Sequence, residues 1–128
     1  MSKSFADKKK NKAGGGGFQS YNLMPALFKA IQAKGYNLPT PIQRRAIPIV
    51  LQNYNVIAMA RTGSGKTGAF CIPAVQKLQS HSDTVGARCV ILSPTREIAI
   101  QTATYFKAIA KNTDLTHCLI TGGNDMEA

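Results

Sequence analysis

The ordered part of the chain opens with an apolar pattern of helical period. Leu23, Leu27 and Ile31 recur every four residues, which predicts one apolar face along a helix over about residues 24–34. Gly35 follows this stretch, and glycine commonly ends a helix because it adopts left-handed backbone conformations. The pattern therefore predicts an amphipathic helix that ends at Gly35.

A second helix is predicted from its start signals. Thr40 can cap a helix, Pro41 suits the first helical position, and Gln43 lies three residues after the cap. Pro48 lacks the amide proton that a continuing helix needs, so we expect it to kink or interrupt this helix before Leu51.

From residue 56 onward, short continuous apolar runs alternate with helical stretches. The runs predict three buried strands, at residues 56–60, 89–92 and 115–120. The stretches between them predict two helices, at residues 66–79 and 96–111. This alternation is typical of an α/β fold with a parallel sheet and helices on both faces. Right-handed crossovers would bring the loops after the three strands to the carboxyl edge of the sheet, where ligands bind.

Charge changes this picture by suggesting a polyanionic partner. The net charge is +10, from sixteen Lys and Arg against six Asp and Glu. Such a balance favours nucleic acid, although a solubilising surface without a partner is the alternative. No apolar run approaches the length of a membrane span, and the lysine-rich start lacks the apolar centre of a secretory signal, so we expect no membrane association.

Composition divides the chain into a tail and a domain. Residues 1–17 are polar, lysine-rich and glycine-rich, which predicts a disordered tail, and residues 18–128 are expected to be globular. The cysteines, at positions 71, 89 and 118, lie mostly among apolar residues and contain no Cys-x-x-Cys pair. We expect three buried thiols in a reducing compartment.

The segment from Ala60 to Thr67 reads Ala-Arg-Thr-Gly-Ser-Gly-Lys-Thr and stands between a predicted strand and a predicted helix. This context favours a phosphate-binding loop over a chance glycine-rich turn, because glycines let backbone amides wrap around an anion at a helix start. Lys66 would reach the β- and γ-phosphates, and the Thr67 hydroxyl would ligate Mg²⁺. The residues expected to contact the nucleotide here are Arg61, Thr62, Gly63, Ser64, Gly65, Lys66, Thr67 and Gly68.

Upstream of this loop, the segment 35–43 reads Gly-Tyr-Asn-Leu-Pro-Thr-Pro-Ile-Gln. Local physics favours a purely structural role, in which Gly35 ends one helix and Thr40 with Gln43 caps the next. A glutamine amide can also pair with the donor and acceptor edge of adenine, and Tyr36 could stack on the base. The two interpretations remain open at this point.

Four segments together resemble the motifs of the DEAD-box RNA helicase family. Residues 35–43 match its Q motif at every fixed position, and residues 60–67 match its phosphate-loop variant, in which alanine replaces the first glycine. Residues 94–101 resemble its motif Ia, with Ile98 in place of leucine, and Gly122 with Gly123 matches its double glycine. The resemblance implies a RecA-like P-loop domain, of which residues 18–128 would be the N-terminal portion.

The resemblance also implies roles for individual residues. Tyr36 and Gln43 would recognise adenine, Phe18 would shield the base, and Lys66 with Thr67 would serve catalysis with ATP and Mg²⁺. A further group would contact the RNA backbone: Pro94, Thr95, Arg96, Gly122 and Gly123. Backbone contacts carry no base information, so the expected RNA binding is independent of sequence.

Within the family, the sequence is most similar to the nucleolar subgroup that assists large ribosomal subunit assembly. This implies a monomer in the nucleus, with the cytoplasm as the alternative, and pre-ribosomal proteins as partners. The D-E-A-D carboxylates, the S-A-T motif and a second RecA-like domain are absent from residues 1–128. We therefore expect a fragment of an ATP-dependent RNA helicase that binds nucleotide weakly and has negligible turnover. A non-catalytic nucleotide- or RNA-binding module is the alternative function.

Overall fold

The computed structural model describes residues 16–123. A short 3₁₀ helix, Phe18–Tyr21, precedes four α-helices: α1 (Pro25–Ala33), α2 (Pro41–Leu51), α3 (Lys66–Leu78) and α4 (Arg96–Ala110). The helices predicted at 24–34, 66–79 and 96–111 are thereby confirmed to within one residue at each end, and the second helix begins where its start signals predict. Most of the predicted disordered tail lies outside the described residues.

The start of α2 follows its sequence signals closely. The Thr40 amide donates to Gln43 Oε1 at 3.0 Å, and the Gln43 amide donates to Thr40 Oγ1 at 3.5 Å, which completes a capping box. Pro48 does not interrupt the helix, which continues to Leu51, so that part of the prediction was wrong. The carbonyl that Pro48 leaves without a helical donor belongs to Arg44, an exposed residue where water can take the donor's place.

The four helices share one apolar core. Helix α3 packs against α2 and α4, and α1 packs against α4. The core consists of Phe18, Leu27, Ile31, Ile47, Cys71, Ile72, Val75, Phe106, Ile109 and Ala110. Long-range hydrogen bonds support it, such as the one that the Met24 amide donates to Gln76 Oε1 at 2.7 Å. The helix that follows the phosphate loop is therefore held on two sides.

The predicted parallel sheet is not formed within residues 16–123. The three apolar runs at 56–60, 89–92 and 115–120 contain no paired strand among these residues. Most of their side chains are exposed rather than buried, as in Ile57 at 97% and Leu92 at 90%. An apolar run predicts burial in a sheet, but a strand also needs neighbours that supply its backbone hydrogen bonds. None of the three segments provides that neighbour for another.

The cysteine prediction fails for the same reason. Cys71 is buried on α3, as expected, whereas Cys89 and Cys118 are exposed. Both exposed thiols lie in the apolar runs that remain uncovered. Apolar neighbours in the sequence were therefore not sufficient to predict burial of these two thiols.

Candidate functional site

The phosphate loop turns sharply between residue 60 and α3. Gly63 and Gly65 have φ angles of +79° and +89°, a region that favours glycine. The Ser64 amide donates to the Arg61 carbonyl at 3.2 Å, which closes the turn. A Cβ atom added to Gly63 would meet nothing within 4 Å. The loop thus leaves open space beside its backbone at the point where a phosphate is predicted.

Charged and polar side chains surround the same turn. Lys66, the first residue of α3, donates from Nζ to the Ala60 carbonyl and so spans the loop from end to start. Thr67 follows it and is half-buried. The Ser64 hydroxyl is buried and has no hydrogen-bond partner among the described residues. An unpaired hydroxyl, a lysine and a helix start together suit a phosphate group.

Gln43 joins the predicted adenine reader to this loop. Its side chain is 6% exposed, its Nε2 donates to the Gly65 carbonyl at 3.1 Å, and its Oε1 accepts from the Thr40 amide. A glutamine amide has two N–H donors and two acceptor lone pairs, so each bond uses half of one group's capacity. The capping role is therefore real, and it leaves one donor and one lone pair for a further partner.

Two glycines make this contact sterically tight. A Cβ atom on Gly65 would lie 2.8 Å from Gln43 Nε2 and 2.8 Å from Thr40 Oγ1. A Cβ atom on Gly68 would lie 2.5 Å from Gln43 Nε2 and 2.6 Å from the Tyr105 hydroxyl oxygen. Side chains at either position would push Gln43 away from the loop, so the glycines permit the close approach.

The two predicted adenine-stacking aromatics occupy different surroundings. Tyr36 is 39% exposed and stacks on Tyr105 of α4, with ring centroids 6.2 Å apart and an interplanar angle of 22°. Phe18 is 1% exposed, lies in the core, and meets the Tyr21 ring edge-on at 6.1 Å. Tyr36 therefore presents accessible surface to a ligand, whereas the Phe18 ring is enclosed by the protein.

Tyr105 is a residue whose connection to this site the sequence analysis missed. It lies within the helix predicted at residues 96–111 and belongs to none of the four sequence motifs. Its hydroxyl is buried without a hydrogen-bond partner among the described residues. Burial, then the nearby Tyr36 and Cys71, raise the pKa of this hydroxyl above its usual value.

The residues predicted to contact RNA form a second, exposed group. Arg96 Nη2 donates to the Gly122 carbonyl, and a Cβ on Gly123 would lie 3.0 Å from the same nitrogen. Thr95 caps α4 by accepting from the Ile98 amide at 3.3 Å, and Pro94 is exposed beside it. The fold thus joins two segments that are 26 residues apart in sequence.

Residues 16–123 contain neither a metal-binding group of side chains nor a membrane-spanning helix. Within that range no group of three or more His, Cys, Asp and Glu side chains is arranged to hold a metal ion. None of the helices in the described part combines the length and apolar character needed to cross a membrane.

Comparison with known proteins extends these observations. Residues 40–128 match the family model of the DEAD/DEAH box helicases. The chain is 59% identical to the ATP-dependent RNA helicase ddx54 of Dictyostelium discoideum and 55% identical to the ATP-dependent RNA helicase DBP10 of Ajellomyces capsulatus, each over 88% of the chain. It is 52% identical over 94% of its length to the putative DEAD-box ATP-dependent RNA helicase 29 of Arabidopsis thaliana. It spans only 10%, 13% and 14% of the lengths of these three relatives.

Solved structures show the same relationship. A DEAD box protein from Methanococcus jannaschii superposes with a TM-score of 0.78 at 40% identity, over 86% of this chain and 30% of that protein. The RNA helicase Prp28 from Chaetomium thermophilum, in a structure with ADP, gives 0.75 at 34% identity, over 86% of this chain and 28% of that protein. The fold is therefore of the P-loop α/β class, although the sheet itself is not formed in residues 16–123. With the family model matched over residues 40–128, the chain belongs to the DEAD/DEAH box helicase family.

Proposed function

We propose that this chain is the ATP- and RNA-backbone-binding part of an ATP-dependent RNA helicase. The observation that carries the proposal is the hydrogen bond from Gln43 Nε2 to the Gly65 carbonyl, at 3.1 Å. This bond holds the Gln43 amide, which can pair with adenine, against the loop that is proposed to bind the phosphates. The names of the helicase relatives, and the ADP in the Prp28 structure, support ATP as the nucleotide.

The proposed division of labour follows from the chemistry of the loop. The remaining donor and lone pair of Gln43 would pair with adenine, with Tyr36 against its face. Lys66 would move from the Ala60 carbonyl to the phosphates, where the unpaired Ser64 hydroxyl would also find a partner. Gly63, with open space beside it, would let phosphate oxygens approach the backbone. The remaining loop residues proposed to line the nucleotide are Arg61, Thr62, Gly65 and Gly68.

Mg²⁺ fits the proposed site through one protein ligand. The Thr67 hydroxyl is a hard oxygen donor of the type that Mg²⁺ prefers, and phosphate oxygens and waters would complete the set. The chemistry that Mg²⁺ would supply there is neutralisation of the negative charge on the phosphates. The chain's own contribution there is to hold Thr67 at the start of α3, next to Lys66.

Nucleotide binding is tested by Lys66→Ala in the 128-residue chain, with fluorescent ATP displaced by unlabelled ATP and GTP. Losing a hydrogen bond to a charged group should weaken ATP binding about tenfold to a hundredfold. Lys77→Ala is the matched control, because Lys77 lies on the same helix and likewise donates to a backbone carbonyl, that of Val50 at 3.5 Å. Equal ATP affinity in the two variants would refute the proposed role of the loop.

RNA binding is proposed for the group around Arg96. We propose that Arg96, Thr95 and Pro94 at the start of α4, with the double glycine at 122 and 123, contact sugar and phosphate rather than bases. The contact between Arg96 and Gly122 supports this by placing a guanidinium next to accessible backbone. Contacts of this kind position the protein on RNA without reading its sequence.

Arg96→Ala should weaken the binding of unrelated single-stranded RNAs by similar factors. It should also reduce the slope of log affinity against log salt by about 0.7 for each phosphate that the protein no longer neutralises. Arg88→Ala is the control, because Arg88 is also exposed and donates to backbone carbonyls, those of Leu78 and Ser80. Weaker binding of one RNA sequence alone would contradict backbone recognition.

We propose that the predicted parallel sheet forms in longer polypeptides of this family. A groove of about 1090 Å³ lies between residues 89–92 and 115–120 and is floored by Thr102 and Phe106 of α4. Apolar side chains along its walls are exposed, including Val90 and Ile120. We propose that further strands pair there in longer relatives. Amide exchange should be slow at the corresponding residues of a full-length relative and fast in this chain; equal protection in both would exclude the idea.

We propose that the whole protein acts in the assembly of the large ribosomal subunit in the nucleolus, as a monomer with pre-ribosomal proteins as partners. Similarity to ddx54 and DBP10 supports this, together with the family motifs of the sequence. Fluorescence microscopy of the tagged full-length protein, with RNA crosslinking, tests the proposal. Exclusion from the nucleolus, or crosslinks that spare pre-ribosomal RNA, would reject it.

A further inference from the structure

Tyr105 stacks on one of the two groups that are proposed to recognise adenine and lies close to the other, although it is outside the four sequence motifs. It sits in the middle of α4, and its ring stacks on Tyr36 with centroids 6.2 Å apart. Lys34 Nζ lies 5.8 Å from the centroid of the Tyr36 ring and 5.2 Å from that of the Tyr105 ring. A cation beside two stacked rings attracts both, so Lys34 and Tyr105 together hold the Tyr36 ring in place.

The hydroxyl of Tyr105 lies near the other group proposed to recognise adenine, the Gln43 amide. A single point, the Cβ position that Gly68 lacks, lies 2.6 Å from the Tyr105 hydroxyl oxygen and 2.5 Å from Gln43 Nε2. The hydroxyl and the amide therefore both lie close to Gly68. The hydroxyl has no hydrogen-bond partner among residues 16–123. A polar group buried without a partner is costly, which makes ordinary core packing a poor explanation for a tyrosine here.

We propose that Tyr105 is a positioning residue of the adenine site. Its ring sets the plane of Tyr36, and its hydroxyl limits the rotation of the Gln43 amide from behind. This inference rests on the proposed function, since it assigns to Tyr105 the orientation of the groups that would bind the base. Phosphate binding does not depend on it, because the Lys66 ammonium is bonded to the Ala60 carbonyl, and the Tyr105 hydroxyl bonds to no group within residues 16–123.

The consequence is a change in base selectivity rather than in nucleotide affinity as a whole. Removing the ring should weaken ATP binding by about twofold to twelvefold, the range expected when one aromatic pair is removed. GTP would be held mainly through its phosphates, so its affinity should change less than about twofold on the same scale. The ratio of the GTP and ATP dissociation constants should therefore fall. Tyr105→Phe keeps the ring and should therefore keep part of the preference for ATP over GTP.

The matched control lies next to Tyr105 on the same helix. Phe106 is 8% exposed, packs in the core, and meets the His117 ring at 6.0 Å rather than Tyr36. Phe106→Leu makes the same aromatic-to-leucine change as Tyr105→Leu and destabilises the same helix. It should leave the ratio of the two dissociation constants unchanged, whatever it does to the melting temperature.

The experiment measures ATP and GTP dissociation constants for the 128-residue chain and its Tyr105→Leu, Tyr105→Phe and Phe106→Leu variants. A reduced ratio for Tyr105→Leu alone, with an intermediate value for Tyr105→Phe, supports the inference. A parallel loss of ATP and GTP binding, or the same ratio in Tyr105→Leu and Phe106→Leu, overturns it. If the unaltered chain fails to prefer ATP, the proposed function fails first and this inference falls with it.

A second readout does not depend on whether Tyr105→Leu folds. The side-chain amide signals of Gln43, assigned by comparison with Gln43→Ala, should shift in the NMR spectrum of Tyr105→Phe, because only the nearby hydroxyl is removed. Unchanged Gln43 signals would show that the hydroxyl does not constrain the amide, and would overturn that half of the inference.

Discussion

Substituting Gly68 by alanine would place a methyl group between Gln43 and Tyr105. The added carbon would lie 2.5 Å from Gln43 Nε2 and 2.6 Å from the Tyr105 hydroxyl oxygen, well inside contact distance. Neither neighbour moves freely. Gln43 is bonded to both Thr40 and Gly65, and the Tyr105 ring is stacked on Tyr36.

The expected magnitude combines two opposing effects. Alanine in place of glycine inside a helix stabilises a protein by about 1 kcal/mol. Overpacking a filled site costs about 1 to 3 kcal/mol. The net change in the free energy of unfolding should therefore lie between about zero and a decrease of about 2 kcal/mol. ATP affinity should fall further than stability alone suggests, because the displaced Gln43 amide would lose its bond to Gly65.

The assay pairs urea denaturation with ATP titration. Gly122→Ala serves as the control, because a Cβ there would meet nothing within 4 Å and its ATP affinity should not change. Adding Tyr105→Phe to Gly68→Ala removes one of the two overlaps and should restore part of the stability. The reasoning is refuted if Gly68→Ala shows the full gain of about 1 kcal/mol from helix propensity and binds ATP normally.

Three further predictions concern the groups around this site. Burial, and after it the nearby Cys89, raise the pKa of the Cys71 thiol to about 12. Iodoacetamide at about pH 8 should therefore label the exposed Cys89 and Cys118 in native protein and reach Cys71 only in denaturant. Labelling of Cys71 in native protein would contradict its burial. Burial raises the pKa of the Tyr105 hydroxyl above its usual value of 10.0. The unfolded state therefore releases that proton first, and the free energy of unfolding should fall as pH rises above about 10. Tyr105→Phe should flatten this decline in urea titrations, and the same decline in both proteins would contradict the assignment to Tyr105. Thr40→Ala removes the capping box and should lower the free energy of unfolding by about 1 kcal/mol in the same assay, whereas unchanged stability would mean that Gln43 caps the helix unaided.

The sequence specified local structure well wherever a local cause decided it. The helix over Pro41–Leu51 began at its capping box, because Thr40 and Gln43 need only each other. Gly35 adopted the positive φ that ends a helix. The continuation of that second helix through Pro48 was missed, because a helix held by core packing of Ile47 can tolerate one missing backbone bond.

Part of the candidate site was also visible in the sequence. The phosphate loop could be located from its glycines and lysine, and the pairing of Gln43 with adenine was one of two open interpretations. The structure shows that the capping bond to Thr40 and the bond to Gly65 coexist. Phe18, which the family resemblance assigned to the base, has its ring at 1% exposure in the core, and its role at the nucleotide stays a prediction.

By itself, the sequence determined the helices, the turn of the phosphate loop and the family motifs, since each depends on residues close together in the chain. Only the tertiary structure decided that Tyr105 stacks on Tyr36 and lies close to Gln43. It alone also decided that Arg96 donates to Gly122 and that the apolar runs stay unpaired within residues 16–123. Those outcomes depend on which distant segments become neighbours. Neighbours of that kind are set by packing of the whole chain, and apolar periodicity carries no information about them.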